Sequence, residues 1–274
     1  MPVTSVLRNL GGEGRLGGSI LLAMVLLGFL IPAMSPHSAA VGGGNVLAPP
    51  SLTHPFGTDN LGRDVFTRTF AAAQLDLALA LLGVAIPLLI GTIVGAVIGT
   101  TRTPAVSGLW EMVIEGINVF PLIVLAIAIV AMVGPGVPGL IVALSMTHWA
   151  RYAKLARARA LTLRGVEFVQ VTEVLGYSRA RVLLRHILPN VSAESVAYGI
   201  SDFVLVIITV AGLSYLGLGV RPPAPEWGAM MADGRLFLQR QWWITVFPGL
   251  ALSWTSVGVA LLARDVTKWA TGEE

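Results

Sequence analysis

The chain has 274 residues, of which 55% are hydrophobic and 12% charged, with a mean hydropathy of +0.78 and a formal net charge of +3. Its apolar runs are too long and continuous for the core helices of a soluble domain, and they indicate an all-α polytopic membrane protein. The absence of cysteine excludes disulfides and thiolate metal sites, and so small an excess of positive charge points to no nucleic-acid partner.

In chain order, 1–16 reads as a cytoplasmic N-terminus. Gly17 to Met34 (GGSILLAMVLLGFLIPAM) follows Arg8 and Arg15 and reads as the first transmembrane helix. Its run exceeds the roughly 7–15 apolar residues of a signal region, and cleavage near Ala39-Ala40 is the alternative. The segment 35–74 is expected outside the membrane and contains His54 to Asp64, HPFGTDNLGRD. Gly57-Thr58-Asp59-Asn60 there predicts a turn with a helix cap, and Asp59 with Arg63 an i,i+4 ion pair on the helix that follows. The residues Gly57, Thr58, Asp59, Gly62, Arg63 and Asp64 read first as a fixed interfacial corner and second as a substrate contact.

The segment 75–265 is the expected core domain, with spans at Leu75–Thr100, Trp110–Val133, Pro138–Ala156, Ala193–Leu218 and Trp242–Ala263, each near the ~20 residues a bilayer requires. With the first helix, six spans are expected. The first of these five has Gly83, Pro87, Gly91, Gly95 and Gly99 at a spacing of four, a stripe of small residues suited to close helix approach, with gating as a second reading. In the next, Glu111 and Glu115 read as structural pairing groups satisfied by water or Arg102. Two ionisable residues inside spans stand out as candidates for the translocation path, His148 and Asp202, each with helix packing as the competing reading. His37, His54, His148 and His186 show no close ligand spacing, so no metal ligand set is expected. The last residues, 266–274, form the expected cytoplasmic C-terminus.

Arginine and lysine orient the chain, because they accumulate in cytoplasmic loops. With the N-terminus inside, 13 of the 18 basic residues lie on the cytoplasmic side, while Arg63, Arg68, Arg221, Arg235 and Arg240 lie outside. The loop 157–190 is then cytoplasmic. Within it, Glu167 to Asn190 reads EFVQVTEVLGYSRARVLLRHILPN. Phe168, Val171 and Leu175 share one face of a predicted short helix over 166–175, with Glu167, Gln170 and Glu173 elsewhere. Gly176 is a natural left-handed stop, Ser178 a cap for a second short helix, Arg181 and Arg185 a basic row upon it, and Pro189 its end. Two amphipathic helices joined at a glycine either rest on lipid or dock into a groove of a cytoplasmic partner.

Gly176 followed by Pro189 within Ile187-Leu188-Pro189 resembles the "EAA" loop of binding-protein-dependent ABC importer permeases. Where that family has Glu-Ala-Ala, this chain has Gln170, Val171 and Thr172, a departure at the contact normally credited to the glutamate. The GTDNLGRD segment, Leu213 to Val220 (LSYLGLGV) and Pro225-Glu226-Trp227-Gly228 resemble the peptide and nickel branch of that family. His148-Trp149, Asp202 and Val210-Ala211-Gly212 resemble the nickel importers somewhat more than the dipeptide type. The resemblance implies a multi-pass permease subunit of a bacterial plasma (inner) membrane, with no catalysis of its own and alternating access as its mechanism. It also implies a homologous second permease, two ABC ATPase subunits holding ATP and Mg, an extracytoplasmic solute-binding protein and surrounding membrane lipid.

This chain has no Gly-Lys-Ser/Thr, since Lys154 follows Ala153 and Lys268 follows Thr267, so the P-loop route to nucleotide is closed to it. An ion-coupled secondary transporter is the main alternative and requires inverted repeats, which the sequence does not display. A purely structural membrane subunit is the second alternative.

Overall fold

The computed structural model describes residues 11–101 and 103–271, with the side chain of Glu173 and those beyond Lys268 left out, so Arg102 and the first ten residues lie outside the described residues. Ten α-helices are named here in chain order: α1 Gly12–Met34, α2 Val65–Thr100, α3 Pro104–Val119, α4 Leu122–Val133, α5 Val137–Arg164, α6 Glu167–Val174, α7 Arg179–Val182, α8 Leu188–Tyr215, α9 Trp227–Gly234 and α10 Trp243–Thr271. A π turn, Leu183–Ile187, joins α7 to α8. Among the described residues no strand is formed, and the one β-bridge pairs Thr58 with Asp64.

The bundle is centred on α2. Its glycine stripe faces α5, where a Cβ at Gly91 would lie 2.6 Å from that of Tyr152, one at Gly95 2.8 Å from that of Ala156, and one at Gly99 2.7 Å from that of Ala160. With no hydrophobic force to join helices in lipid, close packing of small residues supplies the attraction, as the spacing predicts. Leu79, Leu140, Leu144, Val206, Ile207 and Leu213 then fill the common core of α2, α5 and α8. On the other side α1 lies against α10 and α2: a Cβ at Gly17 would come within 2.7 Å of Leu262 N, and one at Gly28 within 3.2 Å of Ala73 Cβ.

Several expected boundaries move. The expected span Trp110–Val133 is not one straight helix, because α3 and α4 meet at 95° around Phe120-Pro121. Phe120 is extended, with φ −73° and ψ 138°, the conformation that a following proline imposes. Helix α2 starts at Val65, ahead of the expected Leu75, because Asp64 accepts a hydrogen bond from Thr67 N at 2.7 Å and caps a polar first stretch that hydropathy overlooks. Among the described residues, four helices are long and apolar enough to cross a membrane, five if the bent pair is one span. The remaining expected span lies within α5, a helix of 28 residues whose apolar start gives way midway to His148, Arg151 and Lys154.

Candidate functional site

The charged stretch 164–190 folds as two short helices against the end of α5. Val169, Val182, Ile187 and Val191 turn inward onto Ala156, Ala160 and Leu163, and Thr172, also buried, donates from Oγ1 to Val169 O at 2.6 Å, so its hydroxyl is satisfied within the helix. The opposite face is apolar and open: Phe168, Val171, Val174 and Leu175 are 45%, 54%, 87% and 65% exposed. Glu167 and Gln170 are also exposed, and Gln170 Nε2 donates to Gly165 O at 3.3 Å. Thr172, standing where the family's alanine would, thus belongs to the packed face, while Val171 belongs to the open one.

Gly176 has φ +77°, and Tyr177 N donates to Thr172 O at 3.1 Å, the closing bond of a Schellman turn. Ser178 Oγ accepts from Arg181 N at 3.3 Å and caps α7 as expected. Arg181 and Arg185 are exposed, and the Arg181 guanidinium sits 5.1 Å from the centre of the Tyr177 ring. Pro189 does not end the second helix, contrary to the expectation. The chain runs on helically from Arg179 to Tyr215. The π turn makes this feasible: Leu188 N donates to Leu183 O, one residue further back than in an α-helix, and the added residue widens the backbone ahead of the proline ring.

Asp202 and His148, read separately in the sequence, meet in the interior. His148 Nδ1 lies 3.0 Å from Asp202 Oδ2, and Tyr152 Oη donates to the same oxygen at 3.0 Å. His148 is wholly buried and Asp202 is 4% exposed. Among the described residues His148 Nε2 has no hydrogen-bond partner. The Tyr152 ring packs edge-on against Tyr198 at 5.1 Å. The sequence reading missed Tyr152, although its i+4 spacing from His148 places it on the same face of α5. Glu111 and Glu115 pair as expected of structural groups, but with Arg157 at 3.0 Å and Lys154 at 2.7 Å of α5.

At the other end of the bundle, the GTDNLGRD segment is a knitted corner. Thr58 Oγ1 donates to Asn45 O at 2.7 Å and accepts from Ala48 N at 2.8 Å. Asp59 accepts from Leu61 N and Arg63 N, both at 2.9 Å, and pairs with Arg63 Nε at 2.6 Å. The expected ion pair therefore forms, but in the loop before the helix, because capping falls to Asp64 and α2 begins only at Val65. Gly57 and Gly62 have φ +71° and +73°, so the turn uses conformations that L side chains resist. Asp59, Arg63 and Asp64 are each 3% exposed, which fits the corner reading and leaves them no surface for a substrate.

One buried pair was not read from the sequence at all. Asp76 of α2 and Glu226 interact side chain to side chain beside Trp227, which is fully buried. Trp227 N donates to Asp76 Oδ2 at 3.0 Å, and Glu226 caps α9 by accepting from Gly228 N at 2.9 Å and Ala229 N at 2.7 Å. Burial raises the Glu226 carboxyl above its ordinary range, against the pull of those two N–H groups. The quoted Pro225-Glu226-Trp227-Gly228 marked one member of the pair, whereas nothing near Asp76 marks the other.

With this geometry in view, the comparisons with known proteins narrow the reading. The family described as binding-protein-dependent transport system inner membrane component matches residues 91–268. A putative peptide transport system permease protein of Brucella suis is 36% identical over 258 residues, covering 92% of this chain and 86% of that one. The dipeptide transport system permease protein of Alkalihalophilus pseudofirmus is 34% identical, over 89% of this chain and 80% of that one. A glutathione transport system permease protein of Escherichia coli is 38% identical over 220 residues, 78% of this chain and 70% of that one. The fold is similar to that in a crystal structure of an amino acid ABC transporter with histidines, at TM-score 0.56 and 16% identity, covering 75% of this chain and 94% of that one. These relatives and this fold favour the ABC importer over the ion-coupled alternative.

Proposed function

Because the chain belongs to the family of binding-protein-dependent transport system inner membrane components, we propose that it lines half of a path by which short peptides cross a bacterial inner membrane, driven by ATP hydrolysed on other subunits. The second half is assigned to a homologous permease, ATP and Mg to two ATPase subunits, and delivery of cargo to an extracytoplasmic binding protein. Both termini and the stretch 164–190 then face the cytoplasm, with the corner at Gly57–Asp64 outside. Short peptides are preferred as cargo over nickel because the relatives described above are named for peptide, dipeptide and glutathione transport.

The observation that carries this reading is the open ridge of Phe168, Val171, Val174 and Leu175 on an element whose other face is packed. An apolar ridge flanked by Arg181 and Arg185 suits a groove on a partner, following the helix-in-groove mode. Both ends of this element run directly into long helices, α5 before it and α8 after it. Force applied to α6 is thus passed to both, and the bonds from Asp202 to His148 and Tyr152 tie α5 to α8. The partner shifts the balance of inward- and outward-open states only as far as it binds them unequally.

The test uses a chain without cysteine. Single cysteines at Val171, Val174 and Leu175 should cross-link to an ATPase subunit in native membranes, with yields that change when nucleotide is added. Cysteines at the inward-facing Val169 and Thr172 should not. Labelling by lipid-soluble reagents alone, with no protein partner in any nucleotide state, would return the element to an interfacial anchor.

A further inference from the structure

Three potential metal ligands that are far apart in sequence come together at the corner that precedes α2. One ligand atom each from His37, His54 and Asp64 lie within 4.8 Å of one another. His37 stands just beyond the end of α1, His54 in the loop, and Asp64 at the cap of α2. The sequence concealed the set because its members are contributed by three separate elements.

The hydrogen bonds around the three groups orient them in the way second-shell partners orient metal ligands. Asp64 Oδ2 is held by Thr67 N and Thr67 Oγ1, both at 2.7 Å, which leaves Oδ1 to face His54 Nδ1 at 2.9 Å. His37 Nε2 donates to Thr53 O at 3.0 Å, which leaves Nδ1 with its lone pair. Thr67 Oγ1 also meets Ser35 Oγ at 2.6 Å, and Ser35 Oγ accepts from His37 N at 3.1 Å, so one chain of bonds runs from Asp64 to the backbone of His37. The His37 and His54 rings are 4.5 Å apart. Asp64 is buried while both histidines are partly open, so an ion has an anchored carboxylate at its base and access from solvent.

We propose that His37 Nδ1, His54 Nδ1 and Asp64 Oδ1 form a binding site for a divalent transition-metal ion of the imidazole-preferring class, with Zn²⁺, Co²⁺ and Ni²⁺ as its natural probes. The ion takes the place of the proton between His54 Nδ1 and Asp64 Oδ1, and that proton passes to His54 Nε2 as the neutral imidazole changes tautomer. Two imidazoles and one carboxylate suit such ions better than Mg²⁺ or Ca²⁺, which take oxygen ligands. Binding draws the three atoms in to about 2.0–2.2 Å from one ion, which the partly open His37 and His54 rings accommodate by turning toward the anchored carboxylate. Three protein ligands leave at least one position for water. The site would staple the end of α1 to the start of α2, whatever the cargo, and is independent of the ATPase-coupling reading.

The experiment uses the full chain purified in detergent without a polyhistidine tag. Equilibrium dialysis with Co²⁺ should give one ion per chain, visible d–d absorption bands and displacement by Zn²⁺. His37→Ala, which removes a half-buried side chain and leaves the α2 cap intact, should lose the stoichiometric ion and its bands. His186→Ala, near the far end of the bundle, should retain both. Zn²⁺ should raise the melting temperature of the parent chain and not of His37→Ala. Absence of Co²⁺ binding up to millimolar concentration, or equal binding by His37→Ala, would overturn the proposal.

Discussion

Asp202 illustrates how one residue's cost fixes its surroundings. A carboxylate in an apolar helix is tolerated only when paired and hydrogen-bonded, and His148 and Tyr152 meet that demand. Removing one partner of a buried pair costs about 3–5 kcal/mol. His148→Ala should therefore lower the melting temperature of the detergent-solubilised chain far more than Glu115→Ala, whose exposed pair with Lys154 contributes at most ~1 kcal/mol. Equal effects would show that Asp202 finds water or another partner. Glu226 makes a separate prediction about pH. Its raised pKa means that its contribution to stability is complete below its ordinary 4.5 and is lost as pH climbs through the raised value. The parent chain should accordingly melt at falling temperatures as pH rises above that point, and Glu226→Gln, neutral throughout, should flatten the curve. Parallel curves for the two would remove Glu226 as the source.

At the scale of elements, two glycines with different surroundings should respond differently to substitution. A Cβ at Gly176 meets nothing within 4 Å, so Gly176→Ala carries only the strain of φ +77°, about 1–2 kcal/mol, confined to the turn. Such a variant should assemble normally and still lose coupling between ATP hydrolysis and transport, measured in reconstituted vesicles. Normal coupled transport would refute a docking role for the turn. Gly95→Leu drives bulk into Ala153 and Ala156 across the α2–α5 seam. Overpacking there costs ~1–3 kcal/mol or more and should reduce the yield of folded chain. Both glycines were readable in the sequence, one from its place between two amphipathic patterns and the other from its spacing. Which neighbour each faced was not, because spacing describes a helix surface and says nothing of the helix that covers it.

For the whole molecule, orientation is the prediction to check. Leu52 is fully exposed at one end and Val174 87% exposed at the other. In intact cells an impermeant thiol reagent should label Leu52→Cys and should label Val174→Cys only after the membrane is broken. The reverse pattern would invert the topology read from the basic residues.

The sequence by itself determined the membrane class, the two short amphipathic helices after α5, their left-handed glycine and the family, since each depends on local periodicity, backbone preference or a contiguous motif. Only the tertiary structure decided that Pro189 lies inside a continuous helix, because a π turn widened the backbone ahead of it. Tertiary structure likewise broke the third expected span at Phe120-Pro121 and set Asp64, rather than an earlier residue, as the cap of α2. It also paired Asp202 with His148, Asp76 with Glu226, and His37 with His54 and Asp64. Those groups act on one another over a few ångströms in space, and a linear chain does not show which distant residues packing will bring within that reach.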